Sequence, residues 1–179
     1  MVIPKIIIQT SRKENPQEYV VEMIRNRSAN WQYFHFNDRQ VIQFFHDNPI
    51  PEFPNVIEKF FSFSYGEHRA DLFRYYFLYL YGGVYFDTDA MIECNIDEIV
   101  KDYEYLSVNS TYFPGSIFQG FIGCIPRHPI IYKGLKDIYE IENSLLIERP
   151  ENFHNICRNM YQFVKDFDNQ DKIKLYEEI

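Results

Sequence analysis

The sequence predicts an α/β fold in a single domain spanning residues 1–179. Val2 to Ile8 is a β-branched run interrupted only by Pro4 and Lys5, and Trp31 to Phe36 is a second extended run. Pro16 to Arg27, between them, has helical character. Further on, a helix ends at Gly82-Gly83 and passes at once into Val84-Tyr85-Phe86, a brief buried strand. Strand and helix therefore alternate, and a chain of this length can bury one substantial core.

The remaining elements follow in order. Asn37-Asp38 is a cap for a helix running to about Phe45 or His46. Residues 48–56, NPIPEFPNV, hold three prolines and are expected to be an irregular surface loop leading to Phe60, Phe61 and Phe63. Ser64 and Glu67 have capping-box spacing and should start the central helix, with Ala70, Phe73, Phe77, Leu80 and Tyr81 as its one apolar stripe. After Asp89 the chain should stay extended to Cys94, with a short turn or helix at Ile96 to Ile99. Tyr103 to Asn109 and Ser116 to Ile125 are strand candidates. Pro129 suits a helix N1 position, starting a helix to about Glu142. Glu151 to Phe167 is a last helix, and the charged tail beyond it is partly strand-like.

Chemistry concentrates in the central stretch. Glu67, Asp71, Arg74 and Leu78 share a narrow helical stripe, so Asp71 and Arg74 are neighbours. By itself that is an ordinary i,i+3 ion pair. Asp87 and Asp89 stand two apart, and an extended backbone would point both carboxylates to one side. Same-face carboxylates repel unless a cation lies between them. Mg²⁺ or Mn²⁺ in oxygen ligands, sharing its shell with phosphates, is the usual solution.

The run HRADLFRYYFLYLYGGVYFDTD, residues 68–89, resembles the DXD-containing sugar-binding region of glycosyltransferase family 32. That group takes in fungal initiating mannosyltransferases and α-1,4-galactosyltransferases, and clostridial glucosylating toxins share a similar signature. An A-D-x-x-R-Y helix, a GG break and an aromatic-x-D-x-D end occur in order, whereas a bare DXD would occur by chance in many acidic chains. The resemblance implies a GT-A fold, a Rossmann-like mixed sheet flanked by helices. It also implies a UDP- or GDP-hexose donor, a glycan or protein hydroxyl acceptor, Mn²⁺ or Mg²⁺, and transfer with retained anomeric configuration. By the same resemblance Asp89 ligates the metal, and Asp87 reaches the donor ribose, or the metal through water. Asp71 and Arg74 form the catalytic pair that holds donor-sugar hydroxyls, and Tyr85 lines the donor pocket. The family's opening strand is matched at Pro4, Lys5, Gln9 and Thr10, which makes Gln9 and Thr10 candidate nucleotide contacts. Ile8 and Ser11 stand where relatives have His and Trp. A later N-x-F/I stretch corresponds to Gln119-Gly120-Phe121-Ile122, making Gln119 a candidate sugar-hydroxyl contact. The resemblance covers residues 3–130, so the domain is expected to be minimal or truncated at its C-terminus.

Composition narrows the partners. A net charge of −8 argues against nucleic acid or an anionic membrane surface. An anionic nucleotide must then be held by local cations and a metal. No run approaches the roughly 18 apolar residues of a membrane span. Cys94, Cys124 and Cys157 follow no metal spacing, and an odd count suits reduced thiols in a cytoplasmic setting. Aromatics make up 18% of the chain, and most are expected in the core. Two other classes are open. One is a non-catalytic nucleotide-sugar binding module. The other is a DxD phosphatase of the haloacid-dehalogenase type, which would want Gly-Thr where Ala90-Met91 follow here.

Overall fold

The computed structural model describes residues 1–178. The chain runs through β1 (Ile6–Thr10), α1 (Glu18–Arg27), β2 (Gln32–Phe36), α2 (Asp38–Asp47), α3 (Val56–Ser62) and α4 (Gly66–Tyr81). It continues through β3 (Gly83–Phe86), α5 (Ile96–Val100), β4 (Tyr105–Asn109), β5 (Ile117–Cys124) and α6 (Pro129–Glu140). α7 (Asn143–Ile147), α8 (Asn155–Asp166) and β6 (Ile173–Glu177) complete it. The strands form one six-stranded sheet in the order β2-β1-β3-β5-β4-β6. β2, β1 and β3 are parallel, β5 is antiparallel to β3 and β4, and β4 is parallel to β6. This is the mixed sheet flanked by helices that the family resemblance implies.

Adjacent residues of each strand serve opposite faces, as the two-residue strand period requires. Ile8 and Tyr85 join the core under α2, α4, α6 and α8. Ile7, Val84 and Phe86 join the core under α1 and α5, with Val20, Ile24, Ile96 and Val100. The aromatic share is explained mainly by packing: Phe36, Phe44, Phe73 and Phe77 meet edge to face or tilted, with centroids 5.0 to 6.1 Å apart.

α4 departs from the expected single stripe. Asp71 to Tyr79 is buried on every side, while Tyr81 is 44% exposed. A helix packed against sheet, α3 and α6 at once has no solvent face along this stretch, so periodicity cannot show its orientation. The Ser64–Glu67 capping box does not form. α4 begins at Gly66 without a side-chain cap, and Ser64 is held instead by Asn143, whose Nδ2 donates to Ser64 Oγ at 2.9 Å. At the other end Gly82 and Gly83 take φ of 68° and 110°, which side chains rarely adopt, and the chain turns directly into β3. The box that does form is at α2, where Asn37 and Gln40 cap each other's backbone N–H groups.

Other corrections concern boundaries. The 48–56 segment is irregular but not a plain surface loop, because Ile50 and Phe53 are core residues. α3 and α7 are helices that the pattern does not signal. The expected helix from Glu151 opens as a 3-10 turn over Pro150–His154 before α8. β1 starts at Ile6, since Pro4 has no N–H to give a ladder and its carbonyl accepts from Ile6 N at 2.8 Å. Pro129 stands at N1 of α6 as expected. His128 caps that helix through Nδ1, and burial lowers its pKa to about 4.

Candidate functional site

A cavity of 750 Å³ opens where β1 and β3 end. Its walls are Thr10 to Arg12 after β1, the first turns of α4, Asp87, the β4–β5 connection, β5 from Ile117 to Gly120, and the start of α8. Ligand clefts of α/β sheets lie at these carboxyl ends because the helices and loops diverge there.

The floor is a chain of charge. Arg74 Nη1 donates to Asp71 Oδ1 at 2.5 Å, and its Nη2 lies 3.6 Å from Asp87 Oδ1. The guanidinium carbon sits 4.0 Å from the centroid of the Tyr85 ring. The Tyr85 hydroxyl donates to Asp87 Oδ1 at 2.6 Å. Asp71 and Arg74 are 6% and 4% exposed, so this is a buried ion pair and not the solvated helix pair its spacing alone would suggest. Burial pushes the Asp71 carboxyl up to about 6, with Arg74 and His68 opposing that rise. Burial also disfavours the Arg74 charge, but Tyr85, Asp71 and Asp87 around it outweigh this and hold its pKa up. Arg74 is therefore a fixed cation, and its Nε, buried and without a partner, is one of several unsatisfied polar atoms beside the cavity.

Asp87 is braced from behind. Its N–H donates to Gly120 O at 2.9 Å, and its carbonyl accepts from Gln9 Nε2 at 3.2 Å. Gln9 is in turn fixed by the Tyr33 hydroxyl, which donates to its Oε1 at 2.7 Å. A Cβ on Gly120 would overlap the Phe118 ring and meet Asp87 Oδ2 at 2.8 Å, so glycine there leaves room for both side chains against the β5 backbone. Gln9 is thus fully buried behind the site and does not line the cavity, whereas Thr10 does.

The two aspartates do not share one face of an extended strand. β3 ends at Phe86, and Ala90 N donates to the Asp87 carbonyl at 3.0 Å, closing a turn through Thr88 and Asp89. Asp87 lies in the cavity wall, and Asp89 is exposed on the turn beside it. Among the described residues no group of three or more His, Cys, Asp or Glu is placed to hold a metal ion. The donor set still fits a hard divalent cation in kind, since both residues offer carboxylate oxygens. The protein would supply only part of the shell. Asp38, Glu67 and Glu178 add further negative charge to walls where Arg12, Arg69 and Arg74 are the guanidinium groups.

Of the expected residues, Asp71, Arg74, Tyr85, Asp87, Thr10 and Gln119 meet at the cavity, and Gln9 and Asp89 flank it. Tyr112 and Phe113 of the β4–β5 connection, Phe153 and His154 of the 3-10 turn before α8, and Cys157 of α8 close the opposite side, and sequence reasoning misses their place there. No motif marks them; only the fold brings them to the cavity.

Sheet order, the crossover through α4 and the cleft at the ends of β1 and β3 define a GT-A fold. Over 94% of this chain and 72% of the other, it superposes on the solved structure of PaToxG Glycosyltransferase, with a TM-score of 0.57 at 15% identity. The family described as glycosyltransferase sugar-binding region containing DXD motif matches residues 13–106, and the chain belongs to that family. Mannosyl phosphorylinositol ceramide synthase SUR1 of Saccharomyces cerevisiae is 31% identical over 140 residues, covering 76% of this chain and 35% of that protein. Its counterpart CSH1, from the same yeast, is 30% identical over 149 residues, covering 82% and 38%. Inositol phosphoceramide mannosyltransferase 1 of Schizosaccharomyces pombe is 24% identical over 157 residues, covering 84% and 47%. The chain thus spans less than half the length of these relatives. Among the described residues no helix is long and apolar enough to cross a membrane.

Proposed function

We propose that this domain is a retaining glycosyltransferase that moves a hexose from a UDP- or GDP-sugar to a hydroxyl acceptor, with Mn²⁺ or Mg²⁺ as cofactor. The observation that carries this is the buried Asp71–Arg74 pair, laid over Tyr85 and reaching the half-buried Asp87, at the floor of the cavity. An arginine fixed between two carboxylates keeps its remaining donor directions, and Asp71 its remaining lone pairs, for a polyhydroxylated ring above them. The names of the yeast relatives favour mannose as the hexose and a lipid-linked polyol as the acceptor.

The divalent cation, held by Asp89 and Asp87 with donor phosphates and water, would act as a Lewis acid on the leaving diphosphate. The protein's own part is to position. Asp71, tied to Arg74, is suited to accept hydrogen bonds from sugar hydroxyls and not to attack the anomeric carbon. That favours transfer on one face, where the departing phosphate takes the acceptor's proton. Gln119, buried with both ends of its amide unpartnered, is a further contact for sugar hydroxyls.

The test is a panel of UDP- and GDP-hexoses screened with Mn²⁺ for thermal stabilisation, followed by assay for hydrolysis and transfer. One donor should stabilise the protein and turn over. Stabilisation without turnover would identify a non-catalytic nucleotide-sugar module instead.

A further inference from the structure

Cys157 lies in the first turn of α8, outside the segment that the family matches, yet it lines the cavity close to Gln119 and Asp71. Gln119 also lines the cavity. It is 8% exposed; neither its Oε1 nor its Nε2 has a well-aligned hydrogen-bond partner, and the polar side chain its amide meets is the Cys157 thiol. The Tyr75 hydroxyl, fully buried and likewise unpartnered, lies near both Asp71 and Cys157. Buried polar groups are normally satisfied, so the Gln119 amide, open in the cavity wall with the Tyr75 hydroxyl unpartnered in the core near Asp71 and Cys157, marks where a polar ligand completes it. Burial, with the Asp71 charge adding to it and the Gln119 amide and the Arg74 charge opposing, pushes the Cys157 thiol up to about 12. The thiol is therefore an uncharged S–H at neutral pH, too weak a nucleophile to attack a sugar.

We propose that Cys157 is a specificity-determining residue whose thiol, beside the Gln119 amide, forms the part of the cavity wall next to the Asp71–Arg74 pair that contacts the hexose ring of the donor. The inference rests on the nucleotide-sugar assignment above and adds that α8 takes part in choosing the sugar. A thiol is bulkier than a hydroxyl and a weaker hydrogen-bond donor, so it favours a close apolar contact over a strong polar one. Exchanging it should change which hexose fits without touching the nucleotide.

The test compares Cys157→Ser and Cys157→Leu with the unaltered protein by calorimetry, using GDP-mannose, GDP-glucose, UDP-glucose and the bare diphosphates, all with Mn²⁺. Cys157→Leu should weaken binding of the accepted nucleotide sugar on the order of tenfold or more, the scale on which a pocket discriminates a difference of one methylene. Its affinity for the bare diphosphate should stay within about twofold, as for an independent site. Cys157→Ser should shift the affinity ratio between hexose epimers by several-fold. Equal losses for sugar nucleotide and bare diphosphate, or variants that match the unaltered protein with every donor, would overturn the proposal. If the unaltered protein bound no nucleotide sugar, the functional assignment itself would fail and this inference with it. A second measurement avoids any loss of folding. In a Cys94→Ser background, Cys157 is treated at mildly alkaline pH with excess methyl methanethiosulfonate, which reacts with the small thiolate fraction, and followed by mass. Saturating nucleotide sugar should slow the reaction by on the order of tenfold, because only the unoccupied fraction reacts. Unslowed reaction in the presence of a bound sugar nucleotide, or equal slowing by bare diphosphate, would contradict it.

Discussion

The Tyr85 hydroxyl donates to Oδ1 of Asp87 at 2.6 Å, two residues along one strand and its end. The same ring carries the Arg74 guanidinium at 4.0 Å. One tyrosine thus sets the carboxylate that flanks the cavity and the cation that lies over its floor.

Tyr85→Phe keeps the ring under Arg74 and removes only the hydroxyl. Stability should fall by about 1.5–3 kcal/mol, the worth of one hydrogen bond to a charged group. Donor turnover should drop more than this predicts, because Asp87 loses its fixed orientation. Chemical denaturation paired with donor-hydrolysis kinetics checks both. Unchanged kinetics would show that Asp87 does not need the hydroxyl.

Arg74→Ala leaves Asp71 buried with no counter-charge and should cost about 3–5 kcal/mol. The double variant Asp71→Leu/Arg74→Leu should recover most of that loss while remaining inactive, since paired apolar replacements remove the desolvation penalty. Urea unfolding of the single and double variants measures this. A double variant no more stable than Arg74→Ala would mean that the pair itself holds the fold together.

The pH dependence follows from Asp71, whose pKa burial raises to about 6. A carboxyl raised on folding favours the protonated native state. Its stabilising contribution is therefore fully present at low pH and is lost as pH rises toward about 6. Activity should run the other way, because the ionised form pairs with Arg74 and accepts sugar hydroxyls. The acid limb of kcat/KM, which reports the free enzyme, should turn near pH 6 and vanish in Asp71→Asn. A limb that persists unchanged in that variant would assign the titration to another group.

Asp89 is exposed on its turn, so Asp89→Asn should leave stability within about 0.5 kcal/mol. Transfer should nonetheless fall by on the order of a hundredfold, the upper end of what even a change beside a metal's ligands costs. A folded Asp89→Asn with substantial turnover at saturating Mn²⁺ would remove Asp89 from the metal site.

Much of this is legible in the sequence, for physical reasons that differ by element. The α4–GG–β3 unit can be read because glycine conformations and hydrophobic runs are local properties. Asp71 and Arg74 can be paired from helical spacing. Their burial cannot, since it depends on α4 being covered on every side by sheet and helices far away in sequence. The Ser64 box fails for the same reason: Asn143, 79 residues away, takes the hydroxyl. A shared face for Asp87 and Asp89 requires extended backbone past Phe86, but the ladder with β5 ends there and the chain turns. Gln9 stands at the expected strand end but meets a different partner, because the carbonyl it braces belongs to Asp87. Cys157 and Gln119 meet only through the packing of α8 on β5, which no spacing records.

The central claim, a nucleotide-sugar site whose metal shell the protein only partly supplies, is tested most directly by calorimetry of Mn²⁺ with and without UDP or GDP. Two carboxylates beside a solvated cleft should hold Mn²⁺ weakly when no nucleotide is present, since the ion prefers about six oxygens. With the matching nucleotide, Mn²⁺ and diphosphate should each strengthen the other's binding by the same factor. Tight Mn²⁺ binding to the free protein, or nucleotide binding indifferent to Mn²⁺, would contradict the account.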